Sequence, residues 1–344
     1  MSGEEIEFGI GFFKEEWTKI VSAFETYTME QYIKISRLGR GTRLDRKKRM
    51  QVWSVFDEYM QLMKEKQIRD TETAMYECCQ IFRKNNESLI YSTVIVDEGQ
   101  DLGMNSFRLL RLLAGEEHVN DIFIVGDAHQ RIYKNRAILS KCGINIRGRS
   151  NILKINYRTT EEIRKYAFAF LKGLSFDDLD EETDDNKMCQ SLTHGDKPII
   201  RNFKTGTEEF EFICTEIQNL KENGSKMKDI CIVARTHKLL DDYISQFASR
   251  GIKTFEIKRN KLDDRSFDGI RVATMHRVKG LEFEHVFVVA ANSRVLPLAT
   301  AINYTDAIAQ EESITSERCL LYVALTRARK SAYIYSYGTS SEFL

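Results

Sequence analysis

Acidic side chains follow directly on an apolar, β-branched run in the first third of the chain. The segment Ser92–Asp101 reads STVIVDEGQD, so Asp97 and Glu98 stand where a strand would end, with Gln100 and Asp101 just beyond. In nucleotide-hydrolysing parallel sheets, an Asp at this place holds Mg²⁺ and the Glu after it polarises the attacking water. Taken alone, the pattern fits surface acids at a strand end better.

A second apolar run ends in a similar way. Ile122–Tyr133 reads IFIVGDAHQRIY and places Gly126, Asp127 and Gln130 after a predicted strand, at the edge where α/β sheets bind ligands. A glutamine here can contact a γ-phosphate or orient a water molecule, as glutamines do in other phosphoryl-transfer sites. A β-turn built on Gly126 and Asp127 explains the local sequence nearly as well.

Three later segments place basic side chains close to the ends of predicted elements. Arg158 follows one apolar run and precedes a helix, where a lone arginine is usually a surface residue. The segment Val272–Phe283 leads from a strand into a cluster of His, Lys and Gly, which is unusual for a plain connection. An amphipathic helix then presents Arg327 near its end, from which a guanidinium can reach a phosphoryl group.

The elements that would hold these side chains follow from the spacing of apolar residues. From residue 92, short β-branched runs alternate with helical segments, which predicts an α/β fold of parallel strands flanked by helices in two sheet-containing units. We expect a boundary near residues 148 to 157. The predicted strands are Thr93–Val96, Ile122–Val125, Ile152–Ile155, Ile199–Phe203, Ile230–Val233, Ile270–Ala273, Val286–Val289 and Ala332–Tyr335.

Helical spacing of apolar residues dominates the chain upstream, over residues 12 to 86. Within this region, the segment Arg37–Arg49 holds seven basic residues and one acid. It fits either a solvated turn and helix face or a contact with a nucleic-acid phosphate backbone through Arg40, Arg43 and Lys47. The sequence leaves both interpretations open.

Composition limits the class of protein. A chain of 344 residues has room for two domains, and 42% hydrophobic with 30% charged residues excludes collagen, coiled coils and wholesale disorder. Fifty-one basic side chains balance 51 acidic ones, so any basic surface is local. The seven cysteines include no C-x-x-C pair, and neither a signal peptide nor a long apolar span is recognisable. We therefore expect a soluble, cytoplasmic protein with reduced thiols.

In this order, the segments resemble the motifs of the UvrD/Rep-type superfamily 1 DNA helicases. The matches are DExQD at Asp97–Asp101, GDxxQxIY at Gly126–Tyr133, NYR-T at Asn156–Thr159, TxHxxKGLEF at Thr274–Phe283 and YVALTRA at Tyr322–Ala328. The resemblance implies a RecA-like P-loop NTPase fold. It further implies a helical subdomain at 1–88, the C-terminal part of a first motor domain at 89–150 and a second motor domain at 151–344.

The resemblance also implies roles for individual residues. Asp97 would bind Mg²⁺, Glu98 would activate water and Gln130 would sense the γ-phosphate of ATP. Arg158 and Arg327 would stabilise the charge of the transition state. Other positions expected at the nucleotide are Gln100, Asp101, Gly126, Asp127, Gly280 and, toward the sugar, Glu282. Positions expected near single-stranded DNA, besides the basic segment, are Tyr133, Thr274, His276 and Lys279.

The sequence departs from the family pattern in three places. The phosphate-binding loop G-x-x-x-x-G-K-[ST] occurs nowhere in the 344 residues, although its amides and lysine cradle the β- and γ-phosphates. Asn135 replaces a tryptophan that commonly stacks on a DNA base. The stretch Lys258–Asp268 is too short for the large subdomain that bigger family members insert, so we expect that subdomain to be missing.

The sequence therefore predicts a fragment, beginning after the phosphate-binding loop, of a helicase that uses ATP and Mg²⁺. Such a helicase would move along single-stranded DNA, from 3′ to 5′ by resemblance, and unwind duplex DNA. We expect this chain alone to hydrolyse ATP poorly, because the affinity for the phosphates depends on the missing loop. The alternative is a helicase-like module that naturally lacks the loop and binds nucleic acid or a partner protein.

Overall fold

The computed structural model describes residues 8–37, 40–85, 91–132, 137–174, 176, 189–259 and 263–344. The chain forms two compact units. Unit 1 takes its described residues from Met1–Ser150, Phe176–Asp184 and Asn303–Glu312, and unit 2 from Asn151–Ser175, Asp185–Ile302 and Ser313–Leu344. No helix in the described ranges is both long enough and apolar enough to cross a bilayer.

Helices form the first part of unit 1, in the region where helical spacing was predicted. They are α1 (Ile10–Glu16), which continues as a π-helical turn to Ser22, α2 (Met29–Lys34), α3 (Arg46–Glu65) and α4 (Thr71–Asn85). Their apolar faces enclose an aromatic core that includes Phe12, Trp17, Tyr32, Trp53 and Phe56. Three of the helices begin with side-chain caps: Thr28 accepts from the N–H of Gln31, Asp45 from that of Lys48 and Asp70 from that of Thr73.

A pair of parallel strands completes unit 1. Strand β1 (Val94–Val96) pairs with β2 (Ile122–Ile124), and α5 (Met104–Ala114) lies between them in the chain. One face of the pair packs on a core that contains Phe107. On the other face, Ile95 is 74% exposed and Phe123 is 60% exposed, although parallel sheets are normally covered on both faces.

Unit 2 is built on a six-stranded parallel sheet. Its strands are β5 (Ile199–Phe203), β6 (Ile230–Ala234), β7 (Thr254–Glu256), β8 (Ile270–Thr274), β9 (Phe283–Val288) and β10 (Ala328–Tyr337), in the spatial order β5-β10-β9-β6-β8-β7. A separate parallel pair joins β3 (Ile155–Asn156) to β4 (Gln190–Ser191). The helices are α6 (Glu161–Ala169), α7 (Gly206–Glu222), α8 (His237–Ser249) and α9 (Ala307–Leu325), whose first residues belong to unit 1.

The predicted parallel α/β arrangement is confirmed, and each predicted strand overlaps an observed one. The third was placed too early, since β3 begins at Ile155, where the apolar run Ile152–Ile155 ends. Strands β4 and β7 were not predicted because their sequences, QS and TFE, contain at most one apolar residue and so form no apolar run. The division of unit 1 into a helical subdomain and a motor domain stays a prediction.

Candidate functional site

Strand β1 ends in a tight turn that carries two carboxylates. Glu98 has φ 53° and ψ 41°, a left-handed conformation that is uncommon for a residue with a side chain, and it begins the 3₁₀ turn Gly99–Asp101. The carboxylate of Asp97 accepts a hydrogen bond from the backbone N–H of Glu98 at 2.8 Å, and the Asp97 side chain remains exposed. The strand therefore stops abruptly, with both carboxylates at its carboxyl end.

Gln100 connects this turn to the end of β2. Its Nε2 donates to Glu98 Oε2 at 2.5 Å, and its Oε1 accepts from the backbone N–H of Asp127 at 3.0 Å. The side chain is buried, and a Cβ at Gly126 would lie only 2.7 Å from Gln100 Oε1, so glycine is needed there for the connection. We expected Gln100 to contact the nucleotide. Both ends of its amide are engaged inside unit 1, and the nucleotide contact of Gln100 stays a prediction.

Asp127 in turn organises the turn that follows β2. One carboxylate oxygen accepts from the backbone N–H and Nδ1 of His129 at 2.9 and 3.1 Å, and the other from Nε2 of Gln130 at 2.8 Å. Although burial acts to raise the pKa of Asp127, these hydrogen bonds hold it below its ordinary value. The carboxylate thus fixes the amide of Gln130. Tyr133 and Asn135, which follow it, lie outside the described residues.

In unit 2, two residues that are predicted to contact the nucleotide lie together. Arg158 Nε donates to Glu282 Oε1 at 2.6 Å, and the two side chains are 40% and 38% exposed. Asn156 Oδ1 accepts from the backbone N–H of Arg158 and so shapes the turn after β3. Gly280, two residues before Glu282, has φ 81°, which suits glycine. A solvent-exposed ion pair of this kind is weak, so a phosphate group can compete for the arginine.

Other predicted residues of unit 2 are less accessible. Thr274, at the end of β8, is 5% exposed, whereas His276 and Lys279 are half-buried in the turn that follows. Arg327 is 1% exposed, and its Nε donates to the carbonyl of Val323 at 3.0 Å, at the C-terminal end of α9, where a cation is favoured. The guanidinium of Arg327 is therefore not presented at the surface in this conformation.

The basic segment divides into structural and exposed residues. Arg40, which we expected to contact phosphates, has a side chain only 4% exposed and binds Glu15 at 2.6 Å and Glu16 at 3.1 Å. The sequence spacing did not reveal these acidic partners on α1, and the phosphate contact of Arg40 stays a prediction. Arg43 and Lys47 are exposed and stay candidates.

Two functional candidates were missed because they are far apart in the sequence. Arg235 follows β6 and Glu317 lies on α9, 82 residues later, yet they form a buried ion pair. Neither residue lies in a pattern that a reading of local sequence singles out. Only their hydrogen bonds to each other identify them as a pair, and these bonds are visible only in the three-dimensional structure.

The carboxylates at the end of β1 could supply some, but not all, of the ligands of a Mg²⁺ ion. Among the described residues, no group of three or more His, Cys, Asp or Glu side chains forms a metal cage. Mg²⁺ commonly uses just one or two protein carboxylates, together with substrate phosphates and water. The exposed carboxylate of Asp97 fits that arrangement.

The sequence of the chain is similar to that of known proteins. Residues 12–139 match the UvrD/REP helicase N-terminal domain, and residues 152–267 and 257–339 match the UvrD-like helicase C-terminal domain. A probable DNA helicase of Mycoplasma pneumoniae is 25% identical over 283 residues, which are 79% of this chain and 49% of that protein. A probable DNA helicase II homolog of Mycoplasma capricolum is 29% identical over 182 residues, covering 50% of this chain and 24% of that protein.

A third relative is the ATP-dependent DNA helicase PcrA of Staphylococcus aureus, which is 27% identical over 196 residues, 54% of this chain and 26% of PcrA. The chain thus spans about half the length, or less, of these curated relatives. The matches to the two domain families extend over most of the residues and include both units described above. The chain belongs to the UvrD/REP family of DNA helicases.

Proposed function

We propose that this chain supplies the water-activating, γ-phosphate-sensing and DNA-contacting residues of an ATP-driven helicase that moves along single-stranded DNA from 3′ to 5′ and unwinds duplex. The observation that carries the proposal is the hydrogen-bonded path from Glu98 through Gln100 to Asp127 and Gln130. It fixes a carboxylate and an amide at the ends of neighbouring strands. A water-activating acid and a phosphate sensor require such fixed positions.

In unit 1, Asp97 would hold Mg²⁺, whose charge offsets that of the phosphates when the ion is bound. Glu98 accepts the proton of the attacking water, or orients that water, from a position fixed by Gln100. Gln130 contacts the γ-phosphate, with its amide oriented by Asp127. Asp101 and Gly126 complete the set that we assign to the nucleotide in unit 1, and Gly280 of unit 2 stays a predicted nucleotide contact.

In unit 2, Arg158 is the accessible phosphate ligand. Its exposed pairing with Glu282 supports an exchange in which the guanidinium turns to the γ-phosphate and the released carboxylate accepts from the ribose hydroxyls. Arg327 would serve the transition state only after a change of its side-chain conformation, since it is buried here. Thr274, His276, Lys279, Arg43 and Lys47 are the residues that we assign to single-stranded DNA, and Tyr133 stays with them as a prediction.

We also propose that residues 1–344 alone turn over ATP slowly, because the sequence contains no G-x-x-x-x-G-K-[ST]. The exposed face of the β1–β2 pair, with Ile95 and Phe123, supports the view that more of a motor domain packs there in an active enzyme. This face is apolar, and a two-stranded sheet with one open face is rarely stable by itself.

The test is ATP hydrolysis by the purified chain, with and without single-stranded DNA, beside a version extended by whatever its gene encodes upstream. We expect DNA-stimulated turnover only in an extended protein that contains the phosphate-binding loop, and its loss in the Glu98→Gln variant of that protein. Turnover by the short chain would contradict the proposal. DNA binding with no loop encoded upstream would favour the helicase-like binding module.

A further inference from the structure

A buried carboxylate in unit 2 joins three separate stretches of chain. Glu317 Oε2 accepts from Arg235 Nε at 2.9 Å and from the backbone N–H of Leu298 at 3.0 Å. Its other oxygen accepts from Arg235 Nη2 at 2.5 Å. Arg235 is 8% exposed and Glu317 is 4% exposed. Such a two-point pairing fixes the direction of a guanidinium as well as its position.

The arginine of this pair lies beside the turn that carries His276. Strands β6 and β8 are neighbours, with Ala234 opposite Thr274, and the N–H of Met275 donates to the carbonyl of Ala234 at 3.0 Å. The chain therefore leaves both strands side by side, and Arg235 follows one strand end as His276 follows the other. Burial lowers the pKa of His276, the charge of Arg235 acts in the same direction, Glu317 opposes it, and Arg277 on the same turn lowers it further.

We propose that Arg235 and Glu317 are positioning residues, which hold the His276 turn in the orientation that contacts single-stranded DNA. The inference rests on the DNA role proposed above for His276. Glu317 lies on α9, ten residues before Arg327, which is in the turn between α9 and β10. The Arg235–Glu317 pair consequently connects α9 with the His276 turn. Arg327, which follows α9, is predicted to contact the nucleotide, and the His276 turn is predicted to bind DNA.

A matched ion pair in the same unit provides the control. Arg164 Nε and Nη2 bind the two carboxylate oxygens of Glu161 at 3.0 and 2.7 Å, and these residues are 9% and 7% exposed. The Arg164–Glu161 pair is similar in geometry and burial, but its partners all lie on or beside α6. Losing it should change stability without changing the His276 turn.

The experiment compares Glu317→Gln, Arg235→Met and Arg235→Lys with Glu161→Gln in the full chain. The imidazole of His276 is titrated by NMR, its signal being assigned by its absence in His276→Ala. Binding of a labelled oligothymidylate is measured by fluorescence anisotropy. We expect Arg235→Met to raise the pKa of His276 and Glu317→Gln to lower it. Both should weaken DNA binding roughly tenfold, the effect of one charge-assisted hydrogen bond, and Glu161→Gln should do neither.

Other results would contradict either the positioning role of the pair or the DNA role of His276. An unchanged titration of His276 in both variants overturns the positioning role, whatever the affinity. Normal DNA binding by His276→Ala would contradict the proposed DNA role and therefore the inference that rests on it. Opposite shifts of the His276 pKa in Arg235→Met and Glu317→Gln would still show that the ion pair faces the imidazole. Circular dichroism identifies a variant that does not fold. In that case Arg235→Lys, which keeps the charge but loses the two-point geometry, provides the test.

Discussion

Gln100 accepts a hydrogen bond from the backbone N–H of Asp127 at 3.0 Å and thereby ties together the ends of two adjacent parallel strands. The same side chain donates to Glu98 at 2.5 Å. Gln100 therefore holds Glu98 in a set position relative to the turn that fixes Gln130. A carboxylate that must orient water benefits from such a fixed surrounding, since no reorganisation is then needed at the moment of reaction.

The first prediction concerns the side-chain Nε2 of Gln100, which donates to Glu98. Gln100→Glu keeps an oxygen for the N–H of Asp127 but places a second carboxylate against Glu98. Two adjoining carboxylates raise the pKa of one of them, so the variant should be destabilised at pH 7 by about 1 to 3 kcal/mol. Because the folded-state pKa is raised, lowering the pH toward 5 restores the shared proton and part of the stability.

Urea unfolding at pH 7 and pH 5 checks this prediction. Gln100→Leu is the control, because it loses both hydrogen bonds without adding a charge and should be destabilised similarly at both pH values. An equal loss at both pH values in Gln100→Glu would show that its added carboxylate does not face Glu98.

The sequence predicted at which positions polar residues follow the strands, but it did not predict which partners their side chains bind. Asp97, Glu98 and Gln130 follow apolar β-branched runs, and such runs indicate strands without knowledge of the fold. The engagement of Gln100 with Asp127, of Arg40 with Glu15 and of Arg235 with Glu317 depends on which elements become neighbours. Local spacing contains no information on such pairings when the partners lie 25 to 82 residues apart.

A second prediction uses the two faces of the β1–β2 pair. Phe123 is 60% exposed on the open face, and Phe107 is fully buried beneath the other. Phe123→Ala should change the free energy of unfolding of this chain by less than about 0.5 kcal/mol, whereas Phe107→Ala should lower it by about 3 to 5 kcal/mol. Thermal and urea unfolding measure both. A large loss in Phe123→Ala would mean that this face is already covered.

The third prediction is a pH dependence of unit 2. Hydrogen bonds from Arg164 lower the pKa of Glu161 to about 2, with help from the backbone N–H of Ser191 and against the effect of burial. A lowered folded-state pKa stabilises the fold above the unfolded value near 4.5, and that stability is lost as the pH falls toward 2. Glu161→Gln should remove about 1 kcal/mol at pH 6, after allowance for solvent screening, and less at pH 3. A constant difference between pH 6 and pH 3 would contradict the assignment.

The last prediction separates the structural from the exposed basic residues of unit 1. Arg43 and Lys47 are exposed, whereas the guanidinium of Arg40 is buried against Glu15 and Glu16. If the exposed pair contacts phosphates, changing both residues to Gln should lower the slope of log affinity against log salt concentration by about 1 to 2 units, because fewer counterions are released. Arg40→Gln should leave that slope unchanged and destabilise the chain instead, since it leaves the buried carboxylate of Glu16 and the partly buried one of Glu15 short of a partner. Titrations of a labelled single strand at several salt concentrations, combined with urea unfolding, distinguish these effects. A lower slope in Arg40→Gln, with normal stability, would show that the ion pairs with α1 open when DNA binds.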